Sequence, residues 1–328
     1  MEQPIPSRLR RVFQSGDSPV EGLDKSLLAS LLAHTDATTS SRGSSHIWQE
    51  KIYLYSVVDS TNNAARQMLT EAITVAPLHH PDGSLTSHGR KLHGSLFLAE
   101  HQTAGRGRQG RRFHSPESVG LYLSVVVVPQ DGITEPALIT ATSALSVCRS
   151  LEQVYGIRAE IKWVNDIIYQ GKKVCGILTE GVADPNRGNI PAAIVGIGVN
   201  VTASKEGFPE ELEGIAGTLL PPEETNLQRN QLAAAIVLHL IKDLDSSWQQ
   251  NQKHHSTGGI MEEYRQRCIL KPGQKVVVFP IAGSTEASYP ATVLGIDHRA
   301  RLQVQLEDGS QKLLDSGEVS LKSGSFTS

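Results

Sequence analysis

The sequence predicts an α+β fold, a mixed β-sheet backed by helices, with a small β-barrel following it. Three observations carry this reading. Residues 51–270 alternate short β-rich runs with longer helical patterns in irregular order, and some gaps between the runs are as short as hairpins. From Lys271 onward the texture changes to short strands separated by turn residues. The length of 328 residues exceeds one domain of about 150. The composition, 39% hydrophobic and 20% charged with 29 glycines, is that of an ordinary globular chain.

The elements follow in chain order. Residues 1–50 read as an N-terminal extension: one apolar stretch, Leu23 to Leu32, patterned as a helix, then a Ser/Thr-rich linker from Thr35 to Ser45. In the main domain, residues 51–270, strands are expected at Ile52–Val58, Ser95–Ala99, Gly120–Val128, Arg158–Trp163, Lys173–Glu180 and Ala192–Val201. Each is rich in Val, Ile, Leu or Tyr and bounded by Gly, Pro or Asn. Helices are expected at Asn62–Ala72, Pro136–Tyr155, Gln228–Gln250 and Gly258–Arg267. The insert from Ala76 to His93, with four histidines among Gly, Pro and Ser, reads as a surface loop. The barrel, residues 271–322, has its strands at Lys275–Phe279, Tyr289–Ile296, Leu302–Leu306 and Lys312–Leu314.

Charge and cysteine usage exclude several classes. Lys and Arg total 31 against 34 Asp and Glu, a net charge of −3, so there is no cationic field to hold nucleic acid or an acidic membrane surface. Cys148, Cys175 and Cys268 lie far apart, with no CxxC pair, which fits a reducing cytoplasm. The N-terminus lacks an apolar signal region, and the longest apolar runs, such as Leu121 to Val128, fall far short of the roughly 18 residues of a membrane span. A cytoplasmic protein without membrane association is expected.

The most informative segment is Glu100 to Arg112. Within it, Gly105 to Arg112 places three glycines and four arginines in eight residues. Glycine lets backbone N–H groups close on an anion, and arginine supplies forked, permanently charged donors. Gly105, Gly107 and Gly110 satisfy GxGxxG, yet Phe113-His-Ser-Pro-Glu follows, with Pro116 before another strand, so no dinucleotide-binding helix opens there. A Walker loop fails because Arg111-Arg112 stands where Lys-Ser or Lys-Thr is required. No HRD or DFG triplet supports a protein kinase. The remaining choices are a phosphate-wrapping loop and a plainly solvated basic one.

GRGRQGR preceded by EHQTA closely resembles the hallmark loop of the biotin protein ligases, and the other blocks of that family occur in family order over roughly residues 52–320. The resemblance implies a catalytic domain like those of class II aminoacyl-tRNA synthetases and biotin ligases, followed by an SH3-like barrel. By themselves, Asp59 to Asn62 read as a helix N-cap. The resemblance assigns Ser60, Thr61, Asn62 and Gln102 to biotin, together with Arg106, Gly107, Arg108 and Lys162. Lys162 alone would read as a snorkelling surface lysine. In the resembling KWPND block it becomes catalytic, with Arg108, and Val164 replaces the usual proline. The adenylate contacts implied are Gly105, Arg106, Arg108, Arg111, Phe113, Asn165, Asp166 and Asn200. Phe113 holds a position where tryptophan is frequent. Gly176 to Glu180 and Gly196 to Val201 read as core strands whose glycines permit close backbone approach.

The implied chemistry uses ATP and biotin as substrates, with Mg2+ accompanying the ATP. Biotinyl-5′-AMP forms, then biotin passes to a lysine of a biotin carboxyl carrier protein, without a covalent enzyme intermediate. No protein metal site is expected, because His79-His80 and His254-His255 lack HExxH spacing or companion cysteines. A homodimer is compatible with the sequence. The rival readings are a lipoate ligase of the same fold and a biotin-responsive repressor. The first 50 residues supply one expected helix and no basic excess, where a winged DNA-binding unit needs about three helices and a basic recognition face, so DNA binding is not expected.

Overall fold

The computed structural model describes residues 22–36, 45–251, 258–279, 287–315 and 318–321. Its centre is a seven-stranded sheet built from β1 (Ile52–Val58), β2 (Leu96–Gln102), β3 (Gly120–Val127), β4 (Glu160–Lys162), β5 (Asp166–Tyr169), β6 (Lys172–Val182) and β7 (Ala192–Asn200), in the spatial order 1-2-3-7-6-5-4. β1 and β2 are parallel and every other pair is antiparallel, the mixed sheet expected.

Alternation along the central strands assigns two faces. Leu121, Leu123, Val125 and Val127 of β3 point with Val195, Ile197 and Val199 of β7 into the larger core. That core is closed by α5 (Pro136–Tyr155) and α6 (Arg229–Asn251). Pro136 at the first turn and Gly156 in the left-handed conformation after the last explain why α5 has the limits expected from sequence. On the opposite face, Val126, Val128, Ala192 and Ile194 pack against Ala65, Leu69 and Ile73 of α3 (Thr61–Val75), forming a second core. This apolar cover stops partway along the strands. Beyond it the same face carries Ser124, Gly196, Gly198 and Gly176, whose small side chains leave room above the sheet.

Several elements differ from expectation. The helix expected at Leu23–Leu32 is α1 (Lys25–Asp36); it is joined by a further short helix, α2 (Ser45–Lys51). Leu28, Leu32 and Trp48 are buried in the larger core, so these helices are packed parts of the main unit. Residues 37–44, most of the expected linker, lie outside the described residues. The insert 76–93 is not a plain surface loop. It contains α4 (Ser87–Leu92), capped by the Thr86 hydroxyl accepting from Gly89 N–H at 3.0 Å, and it buries Leu78, Leu92 and His79, whose Nε2 donates to Pro129 O at 2.7 Å. Polar composition concealed three leucines of the second core, Leu78 and Leu92 within it and Leu85 packed against it.

β5 was not expected. It forms a tight hairpin with β4 through Trp163, Val164 and Asn165, and the Trp163–Val164 peptide is cis. The ladder between β5 and β6 slips by one residue: Ile167 pairs with Cys175 but Ile168 with Lys173, leaving Val174 as the extra residue of a β-bulge.

After α7 (Gly258–Arg267) the chain forms a second, five-stranded antiparallel sheet from β8 (Lys275–Phe279), β9 (Tyr289–Ile296), β10 (Leu302–Gln305), β11 (Gln311–Leu314) and β12 (Glu318–Leu321), ordered 11-10-9-8-12. Val276, Val278, Val293, Leu302 and Val304 fill it. It is tied to the larger unit where Trp163 Nε1 donates to Ala300 O at 2.8 Å.

Candidate functional site

The uncovered half of the sheet face is the floor of a cavity of about 370 Å3. Of the residues expected to form a site, all but Gly105 line it. Gly105 stands behind the wall. A Cβ there would lie 2.5 Å from Phe113 O and 2.6 Å from Ser115 Oγ, so this glycine is required by close backbone approach.

One end of the cavity is a polar network around the start of α3. Ser60 takes the N-cap position in extended conformation, but its hydroxyl makes no cap bond and its side chain is buried at the cavity. Thr61 donates from backbone N (2.9 Å) and Oγ1 (3.2 Å) to Gln102 Oε1, while Gln102 Nε2 donates to Ser115 Oγ (3.0 Å). The Ser124 hydroxyl lies 2.7 Å from Thr61 Oγ1 and donates to Asn62 Oδ1 at 2.6 Å. Asn62 Nδ2 in turn donates to Glu180 Oε2 at 2.8 Å.

The basic loop closes over this end as a folded turn. Phe113 N–H bonds to Gly105 O (2.9 Å) and Gly107 N–H to Arg111 O (2.8 Å); the tip turns through Gln109 and Gly110, both with positive φ. Arg106 meets Glu180 bidentately, at 3.0 Å to Oε2 and 2.9 Å to Oε1, and donates to Asn63 Oδ1 at 3.0 Å. Arg108 reaches the middle of the site, donating to Asn165 Oδ1 at 2.8 Å, and Asn165 Nδ2 is fixed on Ile177 O at 3.0 Å. Arg111 also lines the cavity.

Lys162, at the end of β4, faces Asp166 across the hairpin, and both line the cavity. The Phe113 ring lies on the glycine floor: Cβ atoms at Gly198 and Gly176 would stand 2.5 and 3.3 Å from it. Asn200 lines the cavity but its amide is used structurally, donating to Gly217 O at 3.1 Å and thereby holding the wall that Phe208, Leu212 and Ile215 form. His114, edge-on to Phe208 at 6.1 Å, has its pKa lowered by burial, reinforced by neighbouring His101.

Sequence reasoning did not single out Glu180, Ser124, Lys173 or Glu211, although Ser124, Glu180 and Lys173 form part of the site's bonding. A carboxylate on a strand whose neighbours are glycine and apolar was the available signal for Glu180. Among the described residues, no group of three or more His, Cys, Asp or Glu side chains could hold a metal ion. His254 and His255 lie outside the described residues.

Comparison with known proteins bears on this geometry. Residues 78–200, which include the basic loop, Lys162 and Glu180, match the model of the biotin/lipoate A/B protein ligase family. Residues 78–200 are a domain of that family. The chain is 31% identical over 222 residues to the bifunctional ligase/repressor BirA of Bacillus spizizenii, covering 67% of this chain and 64% of that protein. It thus spans just under two thirds of that relative's length. It is 33% identical over 156 residues to the biotin–[acetyl-CoA-carboxylase] ligase of Mycobacterium tuberculosis, 46% of this chain and 54% of that one. Among solved structures, the biotin protein ligase from Aquifex aeolicus in complex with biotin and ATP superimposes with a TM-score of 0.56 at 26% identity, covering 83% of this chain and 98% of that one. The ligase-family domain and the five-stranded sheet after it thus have the biotin ligase-like architecture, the second sheet as its SH3-like part. Ser60 to Asn62 and the wall around Phe208 fall outside the matched residues, so the cavity extends beyond the family segment on both sides.

Proposed function

We propose that this protein is a biotin protein ligase. It activates biotin with Mg-ATP to biotinyl-5′-AMP and pyrophosphate, then transfers biotin to a lysine of a biotin carboxyl carrier protein. One observation carries the reading: a polar network at the start of α3, an arginine-glycine loop and Lys162 open onto one cavity, in a chain whose relatives are named biotin ligases.

A carboxylate is a poor electrophile, so it must be activated before an amine can attack it. The ureido ring of biotin sits at the Ser60–Asn62 and Gln102 end, where fixed donors and acceptors would be left unpaired by an analogue lacking its polar groups. Lys162 lies beside the biotin carboxylate and the α-phosphate, orienting both and neutralising charge as the pentacoordinate phosphorus forms. Arg108, with the loop amides, covers the adenylate against water until the carrier lysine arrives. Phe113 lies against the nucleotide, and Asn165 and Asp166 hold the groups around the phosphate. Mg2+ enters with ATP as part of the substrate.

The unit division proposed is 51–270 for biotin and ATP and 271–322 for the barrel, with α1 and α2 packed on the first. No described helix is long and apolar enough to cross a membrane, and the three cysteines are free and buried, in keeping with a cytoplasmic setting. The decisive experiment is incubation with ATP, biotin or lipoate and an apo carrier domain, reading the modified lysine by mass. A biotin adduct alone is expected, whereas a lipoyl adduct assigns the chain to the other branch of its family. A gel-shift on biotin-operon DNA at stated salt is expected to show no specific complex.

A further inference from the structure

The two edges of the seven-stranded sheet are built differently. β4 is three residues long, carries Glu160 and Lys162, and is covered by the chain itself: Ile161 bridges Cys268, and its carbonyl accepts from Ile269 N–H at 2.8 Å. Short length, charge and cover are the usual means of closing an edge to further pairing. β1, at the other edge, has none of these among the described residues. Its seven residues, Ile-Tyr-Leu-Tyr-Ser-Val-Val, include no charge and no proline, and they pair with β2 in a single register. Val58 O accepts from Thr103 N–H at 3.0 Å, so the even-numbered residues of β1 turn their backbone groups toward β2. Tyr53, Tyr55 and Val57 therefore direct N–H and C=O outward, and among the described residues none is hydrogen-bonded to them. Tyr53 is 37% exposed and Val57 56%.

We propose that this edge pairs with β1 of a second copy of the chain, antiparallel, about a two-fold axis through Tyr55. A two-fold perpendicular to the sheet keeps each face on its own side, so it passes through a residue, and Tyr55 is the middle of the strand. Tyr55 then opposes Tyr55, and Tyr53 opposes Val57 of the other copy. All the outward backbone groups meet, giving about six hydrogen bonds, two for each of three facing pairs. Tyr53, stacked on Phe97 with centroids 4.6 Å apart, gains a β-branched neighbour across the junction.

Charge selects this register and this partner. β1 is bracketed by Lys51, held on His93 O at 2.7 Å, and Asp59, which accepts from Asn63 Nδ2 at 2.6 Å. With the axis at Tyr55, Lys51 of each copy comes level with Asp59 of the other, so unlike charges meet at both ends. An axis through Leu54 sets Lys51 opposite Val57, and one through Ser56 sets Asp59 opposite Tyr53. The match is self-complementarity, which an isologous contact requires and a strand of another protein would meet only by chance.

The test is sedimentation velocity of the full chain over a concentration series, with Val57→Pro and Val57→Thr beside it. The wild-type chain is expected to show a monomer–dimer equilibrium. Val57→Pro removes an outward N–H, a change that an edge strand tolerates, and by symmetry deletes two intermolecular bonds. It is expected to weaken the dimer about 10- to 100-fold with unchanged far-UV circular dichroism. Val57→Thr keeps the donor and the branched side chain and stays close to wild type. Register is read separately with Tyr55→Cys, which is expected to form a covalent dimer under mild oxidation. Cα atoms of a hydrogen-bonded antiparallel pair stand about 5.5 Å apart, within disulfide reach. Val57→Cys, displaced along the strands from its own copy, forms none, and the three native cysteines are buried. If Val57→Pro does not fold, the cross-link decides alone. A chain that is monomeric at every concentration, or a dimer that fails to cross-link through Tyr55, would overturn the proposal, as would a folded Val57→Pro that dimerises undiminished.

Discussion

Glu180 accepts from Asn62 at 2.8 Å and from Arg106 at 3.0 Å through one oxygen, while its other oxygen holds Arg106 at 2.9 Å and Arg66 at 3.0 Å. One carboxylate therefore joins the polar network at the start of α3 to the arginine loop. Glu180→Gln removes the charge and one acceptor while keeping the shape. A cost of about 1–3 kcal/mol in loop closure is expected. Limited proteolysis with trypsin checks it through faster cleavage after Arg106 and Arg108, alongside a raised KM for biotin.

Arg108 spans from the loop to Asn165 in the middle of the cavity. Arg108→Gly is expected to release biotinyl-5′-AMP and label neighbouring amines indiscriminately. Mass mapping of biotinylated lysines on a bystander protein checks this, and an unchanged product profile would remove the gating role.

Lys162→Ala is expected to abolish adenylate formation, a loss of at least about 100-fold for a cation acting on the reacting phosphorus. The thermal unfolding midpoint should be essentially unchanged, because Lys162 is only half-buried at a strand end. Retention of most of the biotin-dependent ATP–pyrophosphate exchange would take Lys162 off the catalytic list.

Gly196 lies directly beneath Asn62, and an added Cβ would collide with Asn62 Oδ1, itself held by Ser124. Gly196→Ala is expected to cost about 1–3 kcal/mol through overpacking. Biotin affinity falls with it, because the displaced amide belongs to the proposed ureido pocket. Calorimetry with biotin and a denaturant melt separate the two effects.

Burial, with a neighbouring cation, pushes two histidines down to a pKa of about 4: His93, beside Lys51, and His239, beside Arg149. His93 Nδ1 accepts from Val128 N–H at 3.1 Å, which requires the neutral ring. Below the ordinary value of 6.5 the unfolded chain takes up protons that the folded one does not, so stability is lost as pH falls from 6.5 toward 4. Each histidine contributes up to about 2 kcal/mol of loss by pH 5. Urea unfolding at pH 7.5 and pH 5 checks this, with His239→Gln removing part of the slope.

How far the sequence carried can be argued from single elements. α5 was legible because Pro136 and Gly156 bracket it, and the central strands because their apolar runs end at turn residues. The cavity residues were legible as motif blocks, and the fold brings them together. β5 was not legible, since four residues directly after a turn carry too little periodicity. Lys173 escaped because a bulge cancels the alternation by which strand faces are read. Glu180 was hidden because its partners, Asn62 and Arg106, lie 118 and 74 residues away in the chain.

The bond from Trp163 Nε1 to Ala300 O has a mechanical side. Trp163 directly follows Lys162, so the indole pins the hairpin carrying that lysine to the turn between β9 and β10. The second sheet thereby acts as a splint on the lysine proposed to be catalytic. A chain cut at residue 270 would leave that buried indole N–H without its acceptor and the hairpin free to swing. The damage would be lost precision at Lys162, appearing as a fall in turnover, with the central sheet still standing.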